Sequence, residues 1–483
     1  MHPSTGPRKV PLFHALIPLL VLIALLVLNV VVFGDAGLEG PNQLALLVAA
    51  AVAMVVGMYH GGTVEHLLEH AYASIRTALG ALLILLLIGA LSAAWLVAGI
   101  VPAMIHHGLL LLHPSYFLVA ACIACSFVSL ATGSSWSTAA TVGIALMGIG
   151  TALGIHAGLV AGAIISGAYF GDKLSPLSDT TNLAPAVAGT ELFAHIRYML
   201  ITTVPSLAIT LLLFLVIGLW TAPVGAVEGL GPIHAAITGR FAVGWWSYLV
   251  PVAIILLIWR KVPALPALFL GILLGMLFAA IFQQDLLRDL ADGATGPRAM
   301  YQVLVSAVGK GASISTGQPA VDELLSSGGM AGMMGTVWLI LCAMTFGGVM
   351  EGAGLLQRIT GSLMGLVRGD GSLVATTAAS CVLTNVTASD QYLSIVVPGR
   401  MFAPVFAERG LDPRVLSRTL EDSGTVTSAL VPWNTCGAYM SGVLGVATMT
   451  YLPFCFFNLI SPLMTVLVAA IGYRILKVPV RTS

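Results

Sequence analysis

The sequence predicts an all-α protein that crosses a membrane many times. Of its 483 residues, 58% are hydrophobic and only 8% are charged, a composition too apolar for a water-soluble domain. The apolar residues fall into runs of about 20, the length that a helix needs to span the hydrocarbon core. Lys and Arg balance Asp and Glu, and no basic cluster indicates a nucleic-acid partner. The lipid bilayer is therefore the expected surrounding.

The first half of the chain combines predicted spans with a hairpin and a broken helix. Residues 116–153 form two apolar arms of about 15 residues around a polar tip, and each arm is shorter than a full span of about 20 residues. We therefore predict a re-entrant hairpin there, followed by a helix that breaks near residues 171–185. The predicted spans are residues 12–33, 43–58, 77–98 and 198–220, with an amphipathic surface helix at residues 60–75.

The second half repeats this order at low sequence identity. Residues 372–407 form a second short-armed hairpin, and residues 412–450 a second broken helix. The polar positions fall in step, since Asp172 follows Thr132 by 40 residues and Asp422 follows Thr384 by 38. The predicted spans are residues 245–259, 264–282, 330–350 and 452–473, with a polar stretch at residues 283–329.

The number of crossings determines the orientation of the second half. If neither hairpin crosses, each half crosses five times and the whole chain about 10 times, and the odd number per half gives two inverted repeats. Basic residues are more frequent in the segments that this arrangement places in the cytoplasm, together with both termini, as the positive-inside rule requires. The predicted organisation is a cytoplasmic N-terminus (residues 1–11), membrane repeat 1 (12–220), an external linker (221–244), membrane repeat 2 (245–476) and a cytoplasmic C-terminus (477–483).

The most polar stretch within an apolar region is residues 166–182. An ionised carboxylate at membrane depth costs about 2.5–3.5 kcal/mol, so Asp172 in this stretch indicates a function. Pro176 and Pro185 predict that the helix breaks here, which frees carbonyls and hydroxyls to face a cavity. Oxygen atoms on unwound backbone at this depth suit a small hard cation such as Na+.

Asp172 is the predicted carboxylate that binds Na+ when ionised and a proton when not. Its neighbour Lys173 offers the alternative of a structural ion pair that neutralises both. Asp179 is either a ligand or the N-cap of the half-helix that begins near Thr181. The other oxygen donors of this stretch are Ser175, Ser178, Thr180, Thr181 and Asn182.

Three more polar clusters are predicted to complete the site. In the second tip, Asp390 is either a site residue or the partner of Arg400, ten residues on. Of two adjacent acids, Glu421 can pair with Arg418, which leaves Asp422 as the predicted pathway residue. The remaining candidates are Thr132, Ser134 and Ser135 in the first tip, Asn385 and Thr387 in the second, and Ser423, Thr425, Asn434 and Thr435 in the second broken helix.

These segments resemble the NhaC family of Na+/H+ antiporters, within the ion transporter superfamily. The most specific match is GAYFGDKLSPLSDTTNLAPAVAGTELFAHIRYML at residues 167–200, and DQYLSIVVPGRMF at 390–402 and LEDSGTVTSALVPWNTCGAYMSGVLGV at 420–446 also match. The resemblance covers most of the chain beyond residue 40. It implies exchange of cytoplasmic Na+ for external protons, with malate and lactate as the exchanged acids in some relatives. It also implies a scaffold domain, a moving transport domain and a homodimer.

The sequence thus predicts a secondary active Na+/H+ antiporter of the inner (cytoplasmic) membrane, not an enzyme, with sodium held in the Asp172 region. Its predicted substrates are Na+ and H+, with Li+ or a small organic acid as additional ones, and no cofactor is expected. The alternatives are an organic acid exchanger of the malate/lactate type linked to Na+ and H+, and a Na+-coupled amino-acid carrier. Both need an anion site, for which Lys173, Arg400 or a half-helix N-terminus is a candidate. An intramembrane serine protease built on Ser135 would need glycine at position 137, where the chain has Ser137.

Overall fold

Helices make up most of the protein. The computed structural model describes residues 10–33, 40–111, 113–221, 230–260, 262–316, 322 and 325–478. Among these residues, eight helices are long and apolar enough to cross a membrane, or ten if each of two sharply bent helix pairs counts as one span. The protein is therefore a multi-pass helical membrane protein, as its composition predicted. The predicted termini and the predicted external linker lie partly outside the described residues.

The first half begins with three apolar helices. Most of the predicted surface helix at residues 60–75 and the predicted span at residues 77–98 form one continuous helix, Val64–Val97, which contains no Pro. The Thr63 hydroxyl caps this helix by accepting a hydrogen bond from the His66 N–H. The helices of this half are Leu12–Phe33, Pro41–Tyr59, Val64–Val97, Ile100–Leu111, Pro114–Thr132, Ser135–Thr138, Ile144–Ala152, Ala157–Leu174, Asp179–Ala188 and Leu192–Thr221.

The second half has the same helical character, with one short antiparallel pair of strands, Ala312–Ser313 and Ser326–Ser327. Its helices are Leu230–Arg240, Leu249–Trp259, Ala264–Phe282, Gln284–Leu290, Pro297–Lys310, Gly329–Gly332, Met334–Gly352, Leu355–Ser362, Asp370–Ala388, Gln391–Glu408, Pro413–Leu420, Thr435–Leu444, Thr448–Tyr451 and Phe456–Ala470.

Residues 114–152, here called hairpin 1, form the first predicted hairpin. Its first arm ends at Gly133, which has a left-handed backbone with φ of 71°. A Cβ atom at this position would lie 2.6 Å from the Leu177 Cβ, so both the conformation and the space require glycine. Ser134 then caps the second arm, and its hydroxyl accepts a hydrogen bond from the Ser137 N–H.

Residues 370–408, here called hairpin 2, form the second. Its turn consists of Ser389, left-handed with φ of 60°, and Asp390, whose carboxylate caps the second arm at the Leu393 N–H. Residues 384–388 remain helical. The turn therefore lies at the C-terminal end of the predicted tip.

Residues 157–188 and 413–444, here called broken helix 1 and broken helix 2, are each interrupted in the middle. Broken helix 1 stops at Leu174 and resumes after Ser178, whose hydroxyl caps the new half-helix at the Thr181 N–H. The predicted cap, Asp179, is instead the first helical residue. Broken helix 2 passes through a π turn, Glu421–Thr425, and resumes as the half-helix Thr435–Leu444 after its cap, Asn434. Both predicted breaks are confirmed.

From the first arm of each hairpin to the end of each broken helix, the helix bounds of the two halves coincide after a shift of 256 residues. The following pairs all differ by that amount: first arms Pro114–Thr132 and Asp370–Ala388; second-arm starts Ser135 and Gln391 and ends Ala152 and Glu408; broken-helix starts Ala157 and Pro413; half-helices Asp179–Ala188 and Thr435–Leu444; left-handed residues Gly133 and Ser389, Gly154 and Gly410, Gly189 and Gly445. In this register Ser178 corresponds to Asn434, and Asp172 corresponds to Ser428. The sequence-based alignment of Asp172 with Asp422 was therefore wrong, because it compared residue types rather than helix bounds.

Broken helix 1 packs very closely against the first arm of hairpin 1. A Cβ atom at Gly167 would lie 2.1 Å from the Cys122 carbonyl oxygen, and one at Gly171 would lie 2.3 Å from the Ser126 carbonyl oxygen. The two glycines are four residues apart and so share one helix face, the arrangement that lets membrane helices approach backbone to backbone. This contact fixes Asp172 beside the tip of hairpin 1.

Candidate functional site

A cavity of about 640 Å³ lies where the two hairpin tips meet the break in broken helix 1. Hairpin 1 contributes its tip, and hairpin 2 contributes Asp390 with the two residues that follow it. Asp172, Asp179 and Asp390 are the carboxylates of its described lining, which contains no Lys, Arg or His. Clefts lined by charges of one sign concentrate ions of the opposite sign, so this cavity favours cations.

Asp172 is buried at the wall of the cavity and contacts the start of the second arm of hairpin 1. Its Oδ2 accepts a hydrogen bond of 2.7 Å from the Ser135 hydroxyl and one of 3.2 Å from the Ser135 N–H. The first N–H groups of a helix have no partner within the helix, and their positive field stabilises an adjacent anion. The carboxylate therefore accepts a hydrogen bond from an N–H group at the helix start that has no partner within the helix.

Lys173 does not pair with its neighbour Asp172, contrary to one sequence-based alternative. Its ammonium group forms an ion pair with Asp422 of broken helix 2 and donates a hydrogen bond of 3.0 Å to the Ser461 hydroxyl. The reason is geometric, since consecutive residues on a helix point about 100° apart. Lys173 and Asp422 are both fully buried.

Arg418 lies on the other side of Asp422. Its Nε is 3.9 Å from the second Asp422 carboxylate oxygen, and its guanidinium stacks 4.6 Å from the centre of the Tyr198 ring. The predicted pairing of Arg418 with Glu421 was wrong, because among the described residues Arg418 contacts the carboxylate of Asp422, four residues on. Asp422 thus lies between two cations and outside the described cavity lining, and its role as the pathway residue stays a prediction.

Glu421 contacts the cavity wall through a hydroxyl. Its Oε1 accepts a hydrogen bond of 3.1 Å from Thr180 of broken helix 1, and the Thr180 hydroxyl lies 3.2 Å from the Ser178 hydroxyl. Ser178 in turn lies beside the Asp172 carboxylate. Hydroxyl groups thus connect Glu421 with Ser178 of broken helix 1, at the cavity beside Asp172.

Hairpin 2 is fastened to broken helix 2 by two asparagines. The Asn385 amide donates hydrogen bonds of 2.7 Å to the Gly424 carbonyl oxygen and 2.9 Å to the Thr427 hydroxyl. The Asn434 side-chain amide donates hydrogen bonds to Asn385, and its side-chain oxygen accepts one from the Cys436 N–H, which caps the half-helix. Both asparagines brace the break rather than face the cavity.

Half of the predicted site residues line the cavity. Those that the structure brings together are Thr132, Ser134, Ser135, Asp172, Ser178, Asp179, Thr180, Asp390 and Thr435.

The other predicted residues lie away from the cavity lining. Thr181 donates to the carbonyl oxygens of Asp172 and Lys173, and Asn182 donates to those of Pro176 and Ser178, so both satisfy the broken backbone. Arg400 is exposed and forms no ion pair with a described residue, which excludes the predicted pair with Asp390 in this structure. The remaining members of this group are Ser175, Asn385, Thr387, Asp422, Ser423, Thr425, Asn434 and the partner Lys173.

Several lining residues were not predicted from the sequence. Gln391 and Tyr392 follow the capping Asp390, and Trp136 follows Ser135. The Trp136 ring stacks on Tyr439 at 3.8 Å between ring centres. One feature of the sequence could have indicated all three, since each lies in the first helical turn after a hairpin tip. Residues 77–84 of the long third helix also border the cavity, and nothing in their composition marks them.

A multi-pass helical protein with hairpin tips and helix breaks that meet at an acidic cavity belongs to the class of ion-transport proteins. The comparisons with known proteins define the family. Residues 167–473 match the model of the Na+/H+ antiporter family. The chain is also 36% identical to the Na+/H+ antiporter NhaC of Alkalihalophilus pseudofirmus, over 97% of this chain and 98% of the relative. This protein is therefore a member of the Na+/H+ antiporter family, and the resemblance to NhaC proteins is confirmed.

Two other relatives carry different names. The chain is 37% identical to the malate-2H+/Na+-lactate antiporter of Bacillus subtilis, over 94% of this chain and 93% of the relative. It is also 37% identical to the arginine/ornithine antiporter ArcD of Halobacterium salinarum, over 97% and 94%. The family thus includes proteins named for organic substrates as well as for Na+.

Proposed function

We propose that this protein exchanges cytoplasmic Na+ for external protons, and that both ions compete for Asp172. The observation that carries the proposal is the acidic cavity, which reaches Asp172 and has no cationic side chain in its described lining. Carboxylate and hydroxyl oxygens are the ligands that hard cations take in proteins. Asp172 with the hydroxyls of Ser134 and Ser135 would hold the Na+ ion.

Competition at one carboxylate makes the exchange obligatory. An ionised carboxylate without a counter-ion is costly at membrane depth, so the site changes sides only when Na+ or a proton neutralises it. The proton-loaded site and the Na+-loaded site carry the same charge. Each direction of movement therefore transports one of the two ions.

The helix bounds shared by residues 114–189 and 370–445 support a repeat of the hairpin and the broken helix. We place these units within two inverted repeats, residues 12–220 and 245–476, with about 10 crossings in total. In this arrangement residues 1–11 and 477–483 are cytoplasmic and residues 221–244 form an external linker. The hairpins and broken helices would form a transport domain that moves against a scaffold in an elevator or rocking motion. We place the protein in the inner membrane as a homodimer that needs no cofactor.

The organic acid exchanger and the amino-acid carrier both need an anion site for the substrate carboxylate, for which either a cation or a half-helix N-terminus is a candidate. Lys173 is occupied by Asp422, and Arg400 is exposed, so neither supplies that cation in the described cavity. The cavity volume, about 640 Å³, is within the range of small-molecule sites. A second candidate substrate is therefore a small organic cation such as a primary amine, which the three carboxylates would favour over an organic acid.

Proton flux in proteoliposomes tests the proposal. Vesicles with a preset pH gradient and a pH-sensitive dye receive Na+, then K+, an amine, malate or lactate. We expect added Na+ to drive proton flux across vesicles that contain the wild type, but not across vesicles that contain Asp172→Asn. The matched control is Asp285→Asn, an almost fully exposed carboxylate that should exchange like the wild type. Flux that requires an organic acid, or an active Asp172→Asn, would contradict Na+/H+ exchange at this residue.

A further inference from the structure

Glu421 is a fully buried carboxyl group that does not line the cavity, and competition at Asp172 alone makes no use of it. It begins the π turn of broken helix 2. Unlike Asp422, it forms no ion pair with any residue that the structure describes. Burying a carboxylate without an ion pair is costly unless a proton neutralises it or a nearby positive charge offsets it.

The hydrogen bonds of Glu421 lead to the cavity. Oε1 accepts from the Thr180 hydroxyl at 3.1 Å, and the Thr180 and Ser178 hydroxyls are 3.2 Å apart. Ser178 lies beside Asp172, and both hydroxyl residues line the cavity. The second oxygen, Oε2, lies beside the Thr425 hydroxyl, and neither of these atoms makes a well-formed hydrogen bond with a described residue. The contacts of Glu421 thus lead to Asp172.

We propose that Glu421 and Asp172 share the exchangeable proton through the hydroxyls of Thr180 and Ser178. The inference rests on the proposed Na+/H+ exchange and identifies where its proton resides. When a proton leaves Asp172, the Ser178 oxygen accepts it and passes the Ser178 hydroxyl proton to Thr180. Thr180 then passes its own hydroxyl proton to Glu421 Oε1. One proton leaves Asp172, one arrives at Glu421, and both hydroxyls are restored.

The charged neighbours of Glu421 accommodate both of its protonation states. Lys173 and Arg418 share the single anion Asp422, so these three residues carry one excess positive charge that an ionised Glu421 would balance. Asp172, on the helix that carries Lys173, opposes that ionisation by like charge. The arms of hairpin 2 and the helix Phe456–Ala470 present neutral groups to this turn. The side-chain amides of Asn385 and Gln391 donate hydrogen bonds to backbone carbonyl oxygens of the turn, and the Ser461 hydroxyl contacts Asp422.

Equilibrium binding of radioactive Na+ to the purified protein across a pH series tests the shared proton. Na+ binding by the wild type falls as the pH falls. Glu421→Gln binds no proton and removes a negative charge near Asp172, so it should move the midpoint of this fall toward acid by at least about one pH unit. Glu408→Gln, an exposed carboxyl at the end of hairpin 2, should leave the midpoint in place.

A purely structural role of Glu421 predicts a different result, namely weaker Na+ binding at every pH with an unmoved midpoint. That result would overturn the shared proton while leaving exchange at Asp172 intact. If the wild type itself binds Na+ equally at all pH values, exchange at Asp172 fails as well. The two failures are therefore distinguishable.

Transport by Thr180 variants tests the route. Proteoliposomes are assayed for Na+/H+ exchange and, without a pH gradient, for exchange of radioactive Na+ against Na+. Thr180→Val should slow Na+/H+ exchange at least about tenfold more than Na+/Na+ exchange, because only the former needs the hydroxyl. Thr180→Ser should restore proton exchange. Thr419→Val is the control, because the Thr419 hydroxyl bonds only the Val415 carbonyl oxygen of its own helix. Equal slowing of both modes by Thr180→Val, or no slowing at all, would overturn the route.

Discussion

Lys173 of broken helix 1 and Asp422 of broken helix 2 form a fully buried ion pair. The pair joins the two interrupted helices. It also engages Lys173, the cation next to Asp172 in the sequence, with another carboxylate. Asp172 is consequently left to contact Ser135 and the cavity. The ion pair thereby leaves Asp172 without a cationic partner among the described residues.

Removal of one partner of this pair should strongly destabilise the protein. Asp422→Leu leaves Lys173 and Arg418 buried without their anion, and breaking a buried pair in this way costs about 3–5 kcal/mol. The double variant Lys173→Met/Asp422→Leu leaves only Arg418 without an anion and should recover part of that loss. Thermal unfolding of the detergent-solubilised protein measures both effects. A double variant less stable than Asp422→Leu would show that the unpaired Lys173 is not the source of the loss.

Ser135→Ala should weaken Na+ binding without unfolding the protein. The substitution removes the hydroxyl that donates at 2.7 Å to Asp172, and a hydrogen bond to a charged group contributes about 1.5–3 kcal/mol. The concentration of Na+ needed for half-maximal exchange should rise at least about tenfold. Thr141→Val is the control, because its hydroxyl donates within the same arm to the Ser137 carbonyl oxygen. An unchanged Na+ dependence in Ser135→Ala would exclude this hydroxyl from the ion site.

Gly167→Ala should separate broken helix 1 from hairpin 1. The new Cβ atom would lie 2.1 Å from the Cys122 carbonyl oxygen, so the backbones must move apart. Overpacking of this kind costs about 1–3 kcal/mol, and it also displaces Asp172. The melting temperature and the exchange rate should both fall. Gly361→Ala, where nothing lies within 4 Å of the added atom, should retain both.

Asp412→Asn should lower stability at neutral pH but not in acid. Asp412 lies in the connection between hairpin 2 and broken helix 2, and hydrogen bonds from the Arg414 side chain hold the pKa of its carboxyl below the usual value. A lowered pKa in the folded state stabilises the protein above the ordinary value of about 3.9, and this contribution is lost as the pH falls through the lowered pKa. Asn still caps the helix, so the difference isolates the charge.

The expected loss at neutral pH is about 0.5–1 kcal/mol, because the pair is partly exposed. Melting temperatures of both forms measured over a pH series give the comparison. The curves should converge toward acid. A constant difference at all pH values would assign the effect to the cap rather than to the ion pair.

The sequence predicted the hairpins, the breaks and Asp172 because each leaves a local mark. Pro176, Gly133 and clustered hydroxyl residues interrupt apolar runs, and such marks can be read without knowledge of distant contacts. The tip residues Ser134 and Ser135 were found in the same way. Half of the candidate site residues therefore proved to line the cavity.

The distribution of charges could not be predicted, because it depends on contacts between distant parts of the chain. Lys173 and Asp422 are separated by 249 positions, and Glu421 and Asp422 differ only in the direction that each faces on a helical turn of 3.6 residues. Position in the sequence alone therefore could not show that Asp422, and not Glu421, forms the ion pair with Lys173. Trp136, Gln391 and Tyr392 were missed for a related reason, since their place at the cavity follows from the folding of the tips.

The two halves share their helix bounds at a spacing of 256 residues, yet their ionisable groups are not shared. In this register, Asp172 and Lys173 correspond to Ser428 and Ala429. The counterparts of Arg418, Glu421 and Asp422 are Gly162, Ile165 and Ser166. The two copies of this framework therefore carry different parts of the charge. A homodimer of either copy alone would keep the architecture but lack the complete ionic cluster.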